Sequence, residues 1–202
     1  MQTDKEKERV ERVERHAHIC RALVTSSESE EYDFDCMAMP VENGQLRKNY
    51  DNGEYYYEVL MPFKENIVTS RMDSGLPLFD NHPWDLSAMN TLGITVGYEF
   101  TPEGIRMMCK WGARADEALR SDVKNQILKT MSIEADIHEY TIERKPGMLP
   151  TYYATRWEPT SLSIAPVPQD IASQIEVKRA IQKQIEKPET GKSIIQSIIS
   201  KF

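Results

Sequence analysis

Two strand-like runs joined by a turn lie in residues 92–112, which read LGITVGYEFTPEGIRMMCKWG. Residues 92–100 and 104–112 are rich in β-branched, aromatic and other apolar side chains, which suit strands. The TPEG between them holds the proline and glycine that are typical of a turn. Two strands around so short a connection predict an antiparallel hairpin, and the hairpin favours an antiparallel β design for the chain.

The stretch after this hairpin predicts one internal helix. Residues 114–129, RADEALRSDVKNQILK, contain apolar side chains at every fourth position. This spacing places them on one helical face. The residues of that face are Ala115, Leu119, Val123 and Ile127.

Further strands are predicted on both sides of the hairpin and helix. Residues 54–63, EYYYEVLMPF, have strand composition up to Pro62. Residues 131–143, MSIEADIHEYTIE, alternate polar and apolar side chains as a long strand does. YYATRWEP and SLSIAPVP, residues 152–159 and 161–168, predict two more strands that are limited by their prolines.

The two ends of the chain differ from its centre. Residues 4–24 carry a narrow apolar stripe among charges, which predicts a helix, and a polar linker follows. Apolar residues recur at helical spacing again from about Ile171. The organisation expected is a helical N-terminal arm with linker (1–31), a central domain (32–170) and a helical C-terminal arm (171–202). The fold class expected is α+β, with a mainly antiparallel, barrel-like core.

Charge and hydropathy exclude several classes of protein. The formal net charge is −7, so a broadly basic nucleic-acid binder is not expected. No apolar run approaches the roughly 20 residues of a membrane span. The first residues, MQTDKEKERVERVER, are charged throughout and lack the apolar core of a secretory signal. We therefore expect a soluble protein that has neither nucleic acid nor membrane as a partner.

The spacing of the cysteines and the absence of standard motifs exclude several kinds of active site. Cys20, Cys36 and Cys109 are widely spaced and form no CxxC, so we expect free thiols and no metal site. Cys109 is interpreted as a packing residue. The chain contains no GxGxxG, GxxxxGK[ST], HExxH or GxSxG motif. The motifs typical of nucleotide binding, zinc proteases and α/β-hydrolases are thus absent from the sequence. No cofactor is expected.

His82 has the most distinctive setting of the four histidines. It lies in SGLPLFDNHPWD, residues 74–85, where Gly75, Pro77 and Pro83 predict a shaped loop. A rigid loop suits a general base. A single histidine is also commonly structural, so residue type alone leaves both roles open.

Ser132 stands out among many serines because of its position. It falls where the predicted helix gives way to the long strand, a junction that can present a hydroxyl at a sheet edge. Strand alternation places Ser132, Glu134, Asp136 and His138 on one face. His138 lies about 20 Å from Ser132 along an extended strand and is therefore not its direct partner.

Five segments taken together resemble one known family, the prohead maturation proteases of tailed bacteriophages. These are serine peptidases related in fold to the herpesvirus assemblins. The resemblance covers about residues 54–170, and its segments occur in the family's order. They are YYYEVLMPF, SRMDSGLPLFDNHPW, LGITVGYEFTPEGIRMMCKW, RADEALRSDVKNQILKTMSIEAD and ATRWEPTSLSIAPVPQD.

The resemblance implies an assemblin-type barrel and a serine endopeptidase. His82 falls on the family's catalytic histidine, and Ser132 falls on its catalytic serine. The implied substrates are the scaffold protein and the major capsid protein of an immature procapsid in the host-cell cytoplasm, with a homo-oligomer left open. Self-cleavage is also implied, and residues 1–31 and 171–202 are then hypothesised to be targeting or self-cleavage segments.

Two positions depart from the family pattern. Glu134 stands where the family usually has a glycine, and a glutamate there would crowd or repel what approaches the serine. Ser161 stands where the family has an acidic residue, so the third catalytic member is open. The candidates are position 161 itself, Glu158, Asp73 and Asp80, or the site runs as a dyad.

Two other hypotheses remain beside the peptidase. One is a catalytically impaired relative that acts as a scaffold or capsid-assembly factor, with the arms as binding elements. The departures at Glu134 and Ser161 favour it. The other is an unrelated β-rich binding module. Cleavage of capsid protein by the wild type but not by Ser132→Ala would separate the peptidase from both.

Overall fold

In a computed structural model, the chain is described at residues 5–20, 24–26, 30–49, 51–81, 88–128, 130–165 and 184–185. Strands dominate these residues, and helices are few and short. The strands are β1 (Lys5–Cys20), β2 (Val24–Ser26), β3 (Phe34–Pro40), β4 (Gln45–Lys48), β5 (Tyr55–Leu60), β6 (Pro77–Asp80), β7 (Thr91–Thr101), β8 (Gly104–Trp111), β9 (Met131–Glu143) and β10 (Thr151–Ile164). The helices are α1 (Ser70–Ser74) and α2 (Glu117–Lys124), with 3-10 turns at Lys64–Asn66 and Ala88–Asn90.

All of these strands belong to one curled, half-barrel sheet. Its order is β1-β9-β10-β6-β7-β8-β3-β2, and β5 with β4 beyond it joins the same side of β10 as β6. β10 pairs in parallel with β5 and β6, whereas the other strand pairs are antiparallel. The expectation of an α+β, mainly antiparallel fold is confirmed.

The predicted hairpin is present as β7 and β8. Thr101 pairs with Gly104, so only Pro102 and Glu103 form the turn. Gly104 has φ +140°, and a Cβ there would come within 2.0 Å of the carbonyl oxygen of Met39 on β3. A glycine is therefore required where the hairpin meets β3.

The long strand β9 also has the predicted bounds. From Met131 to Ile137 its side chains at odd positions are buried in the main core, and beyond Ile137 the buried side chains are Tyr140 and Ile142. Ser132, Glu134 and Asp136 lie on its other face, as alternation predicts. Arg71 of α1 approaches this second face of the sheet.

The predicted N-terminal helix is wrong, because residues 5–20 form the edge strand β1. β1 pairs antiparallel with β9 from Lys5 opposite Glu143 to Cys20 opposite Met131, with a register shift between Arg9 and Glu14. Without β1, the backbone groups on that side of β9 would lack partners in the sheet. The backbone pairing with β9 therefore outweighs the weak helical preference of residues 5–20.

The internal helix is present but shorter than predicted. α2 begins after Asp116, whose carboxylate accepts a 2.7 Å hydrogen bond from the backbone N–H of Leu119. The chain leaves the helix at Asn125, and Gln126 takes a left-handed conformation with φ 58°. Ile127, which the pattern places on the apolar helical face, therefore lies beyond the helix and is 68% exposed.

The two strands predicted at residues 152–159 and 161–168 are one strand up to Ile164. β10 continues through Pro159 because the register shifts between Pro159 and Ser161, an irregularity that accommodates a residue without an N–H. Residues 166–168 of the second prediction lie outside the described part. Strands β2, β3, β4 and β6 were not predicted.

The C-terminal arm prediction lies outside the described residues except at Gln184 and Ile185, which are helical. The Gln184 side chain accepts from the N–H of Tyr55 at 2.7 Å and donates to its carbonyl oxygen at 2.9 Å. Ile185 packs on a small cluster that includes Leu46 and Leu149. Among the helices of the described residues, none is long and apolar enough to cross a membrane.

Candidate active site

Ser132 is the second residue of β9, between strands on both sides. It lies opposite Ser163 of β10 and opposite Ile19 of β1. Its side chain is fully buried, with 0% exposure. A hydroxyl at this position is shielded from solvent.

The chain segment that leads to His82 runs to the same end of the sheet. Asp80, the last residue of β6, pairs with Ile164, which pairs in turn with Met131. Two strand spacings separate Asp80 from Met131, so their Cα atoms lie about 10 Å apart. His82 itself lies outside the described residues.

Asn81 fixes the direction in which the chain leaves β6. Its backbone N–H donates a 2.9 Å hydrogen bond to the carbonyl oxygen of Ile164. Its φ of 58° is left-handed, a conformation that asparagine tolerates better than most residues. The turn therefore starts at the end of β10, one strand from the beginning of β9.

Gly75 sets the entry to β6. It has φ +89°, and a Cβ there would lie 2.8 Å from the carbonyl oxygen of Thr95 on β7. The next residue, Leu76, is fully buried and donates its N–H to the Thr95 hydroxyl at 2.7 Å. The predicted shaped loop around Gly75 and Pro77 is thus an anchored helix-to-strand connection.

The two positions that depart from the family pattern contact each other. Ser161 is opposite Glu134 in the β9–β10 register, and its hydroxyl donates to the Glu134 carboxylate at 2.9 Å. Ser161 is buried and Glu134 is half-buried. A carboxylate therefore stands beside position 161, although β9 supplies it instead of β10.

Arg71 is a residue of this face that the sequence reasoning missed. Its guanidinium lies 3.0 Å from Asp136 and 3.6 Å from Glu158, which are opposite each other on β9 and β10. The positive charge of Arg71 offsets the repulsion between the two carboxylates, which face each other across the β9–β10 pair. The signal in the sequence is the acidic pair, which is visible only when the register of the two strands is known.

Two of the other candidates for a third member, Asp73 and Glu158, have partners of their own. Asp73 accepts hydrogen bonds from the hydroxyls of Tyr98 at 2.6 Å and Thr69 at 3.0 Å. This hydrogen bond to Asp73 raises the pKa of Tyr98. Glu158 lies against Arg71, and Asp80 is exposed at the end of β6.

Two of the three cysteines fit the expectation of packed, free thiols. Cys36 and Cys109 are unoxidised and fully buried, on β3 and β8. A hydrogen bond with Cys36, followed by burial, raises the pKa of Cys109 well above its usual value. A thiol that stays protonated is a poor nucleophile, which agrees with a packing role for Cys109. The side chain of Cys20 lies outside the described part.

The described residues contain no group of three or more histidine, cysteine or acidic side chains that could hold a metal ion. Their chemistry at the Ser132 end of the sheet consists of hydroxyls and carboxylates. Comparison of the chain with protein-family models, curated proteins and solved structures finds no match.

Proposed function

We propose that the chain is a serine endopeptidase of the prohead-maturation type, with Ser132 as nucleophile and His82 as general base. The observation that carries the proposal is the register Asp80–Ile164–Met131, which runs across three neighbouring strands. It brings the residue two before His82 within about 10 Å of the residue before Ser132. The half-barrel sheet is proposed to be of the assemblin type.

The proposed reaction is acyl transfer to Ser132. Its Oγ attacks a peptide carbonyl carbon while His82 takes the hydroxyl proton, and the carbonyl π electrons move to oxygen. The tetrahedral intermediate collapses, the C–N bond breaks, and His82 gives its proton to the leaving amine. Water then attacks the acyl-enzyme in the same way and releases Ser132.

The third group is proposed to be the carboxylate of Glu134, held by Ser161. The resemblance assigns this role to an acidic side chain at position 161. Here the 2.9 Å hydrogen bond from Ser161 holds the Glu134 carboxylate at that register position. A carboxylate beside a histidine base stabilises the imidazolium that forms during attack.

The proposed substrates are the major capsid protein and the scaffold protein inside the immature procapsid. The charged terminal arms are proposed to be self-cleavage or targeting segments. β1, which carries much of the N-terminal arm, lies directly beside Ser132 through Ile19. Mass spectrometry of mature particles is expected to find one or both arms removed, whereas intact arms after normal capsid cleavage would contradict this part.

A second candidate function rests on the burial of Ser132. A fully buried hydroxyl and a glutamate at position 134 also suit a relative that has lost activity and serves capsid assembly. In that case assembly depends on the protein, but no cleavage occurs. The peptidase proposal accounts for the same burial as a closed form that opens during assembly.

Co-expression with the capsid protein tests the proposal. The wild type is expected to shorten the capsid protein, while Ser132→Ala and His82→Ala leave it intact. Ser26→Ala, in the short strand β2, is the matched control and should cleave as the wild type does. Equal absence of cleavage in the wild type and Ser132→Ala, with assembly that still needs the protein, would favour the second candidate.

A further inference from the structure

A second serine lies directly beside Ser132 on the neighbouring strand. Ser163 of β10 is the register partner of Ser132, and Phe79 of β6 is opposite Ser163 on its other side. Side chains directly opposite each other in an antiparallel pair share one face of the sheet. The two hydroxyl-bearing side chains are therefore neighbours on the face that carries Glu134.

The hydroxyl of Ser163 is hidden and unpaired. The residue has 0% exposure, and no hydrogen-bond partner for its Oγ exists among the described residues. Only the Oγ1 of Thr160 shares this property among the buried side-chain oxygens and nitrogens of the described part. Most buried polar groups in folded proteins are paired, so an unpaired hydroxyl at a candidate active site needs an explanation.

Packing does not explain the hydroxyl. Leu162 and Ile164, the neighbours of Ser163 along β10, are both buried, and an alanine would fill the same backbone position without a polar atom to satisfy. The burial of the hydroxyl without a partner costs stability. A hydrogen-bond partner that arrives during function would explain why the protein keeps a hydroxyl that costs stability at rest.

We propose that Ser163 is a further catalytic residue, whose hydroxyl donates a hydrogen bond to the oxyanion that forms when Ser132 attacks a peptide carbonyl. This inference rests on the proposed peptidase function. The Ser132 Oγ–C bond forms, the carbonyl π electrons move to oxygen, and the proton of Ser132 passes to His82. Ser163 keeps its own proton throughout, and its hydroxyl donates a hydrogen bond to the new negative charge.

The geometry suits a hydrogen bond from Ser163 to a substrate oxygen better than a hydrogen bond between Ser163 and Ser132. Within the described part of the chain Ser163 Oγ has no hydrogen-bond partner, so it does not hydrogen-bond to Ser132 although the two residues are opposite each other. A substrate carbonyl that lies over this face of the sheet, next to both side chains, would accept from Ser163 through its oxygen while its carbon faces Ser132. The donor is held by a paired strand, so it is positioned before the reaction starts.

Ser163→Ala tests this role, with Thr160→Val as the matched control. Both variants remove a buried, unpaired hydroxyl from the same strand, and both are expected to unfold at the same temperature as the wild type or higher. Ser163→Ala is expected to slow capsid-protein cleavage in procapsids by about 100-fold or more, the usual cost of a lost oxyanion donor. Thr160→Val is expected to cleave at the wild-type rate.

The outcomes separate the two proposals. If the wild type cleaves, Ser132→Ala does not, and Ser163→Ala cleaves within twofold of the wild type, the role of Ser163 is overturned and the peptidase stands. A slow Ser163→Ala with a lowered unfolding temperature also overturns it, because the loss then reflects the fold. If wild type and Ser132→Ala are equally inactive, the peptidase itself is overturned and the role of Ser163 with it.

Discussion

Ser161 of β10 donates a 2.9 Å hydrogen bond from its hydroxyl to the carboxylate of Glu134, its register partner on β9. The two departures from the prohead-protease pattern are thus one coupled feature. Position 161 carries no acidic residue, but the carboxylate of Glu134 on the adjacent strand lies beside it. Glu134 no longer needs to be interpreted as a residue that only crowds the serine.

Glu134→Gln tests this coupling. The variant keeps the size of the side chain but removes the charge that would stabilise His82 when it is protonated. We expect cleavage to slow by about tenfold or more, since a hydrogen bond to a charged group contributes about 1.5–3 kcal/mol. Cleavage of co-expressed capsid protein over time measures the rate.

The control for this prediction is Glu143→Gln at the far end of the same strand. Glu143 contacts Tyr153 and Lys145, about 36 Å along β9 from Ser132. The Glu143→Gln variant should cleave the capsid protein as the wild type does. Equal rates for both glutamate variants would contradict the role of Glu134.

Arg71→Met is expected to destabilise the fold. It leaves Asp136 and Glu158 opposite each other without the cation that now lies 3.0 Å and 3.6 Å from them. Both carboxylates are largely buried, while Arg71 is about half exposed, so the expected loss is about 1–3 kcal/mol of unfolding free energy. Urea unfolding measures it, with Arg144→Met, an exposed arginine, as a control of small effect.

A double variant, Arg71→Met with Asp136→Asn, checks the cause. Removal of one carboxylate should recover part of the lost stability, because less negative charge is left without a partner. Strictly additive losses would show that Arg71 acts through packing and not through charge.

Stability is expected to fall at alkaline pH in part because of Cys109. Its raised pKa in the folded state means that the unfolded chain loses the thiol proton first. The stability that the protonated Cys109 thiol contributes is therefore complete below the unfolded thiol pKa of about 8.5. It declines as the pH rises above that value. Alkylation with iodoacetamide at pH 8.5 should spare Cys109 in the native protein and modify it in urea. Rapid native alkylation would show that the thiol is neither buried nor protonated.

Deletion of residues 1–23 is expected to expose Ser132. This removes β1, whose Ile19 is paired with Ser132, and leaves that side of β9 open to a peptide strand. Fluorophosphonate should then label Ser132 faster than in the full chain. Circular dichroism establishes that the shortened chain is folded, and an unchanged labelling rate in a folded variant would mean that β1 does not restrict access.

Local patterns predicted those parts of the fold that local chemistry determines. The alternation in β9 and the turn at Pro102 gave correct strands because pleat and turn geometry are short-range. The helical stripe in residues 4–24 failed because the β9 edge, more than 100 residues away, pairs with this segment. Pro159 predicts a strand end, but β10 continues through it, because a register shift cannot be read from one strand alone.

The candidate site was predictable to a similar extent. The place of Ser132 at the start of β9 and the face that it shares with Glu134 follow from the strand pattern, whereas its role as nucleophile stays a prediction. The contacts of Ser161 with Glu134 and of Arg71 with two carboxylates depend on the β9–β10 register, which the irregularities along β10 set. No pattern in either strand alone specifies them. The unpaired hydroxyl of Ser163 is visible for the same reason only in the folded chain.

The most direct test of the central claim is peptide mapping by mass spectrometry after fluorophosphonate treatment of procapsids that contain the protein. An adduct on Ser132 is expected in the wild type, with none at that position in Ser132→Ala and a strongly reduced yield in His82→Ala. An adduct on another serine, together with capsid cleavage that persists in Ser132→Ala, would contradict the role of Ser132 as nucleophile.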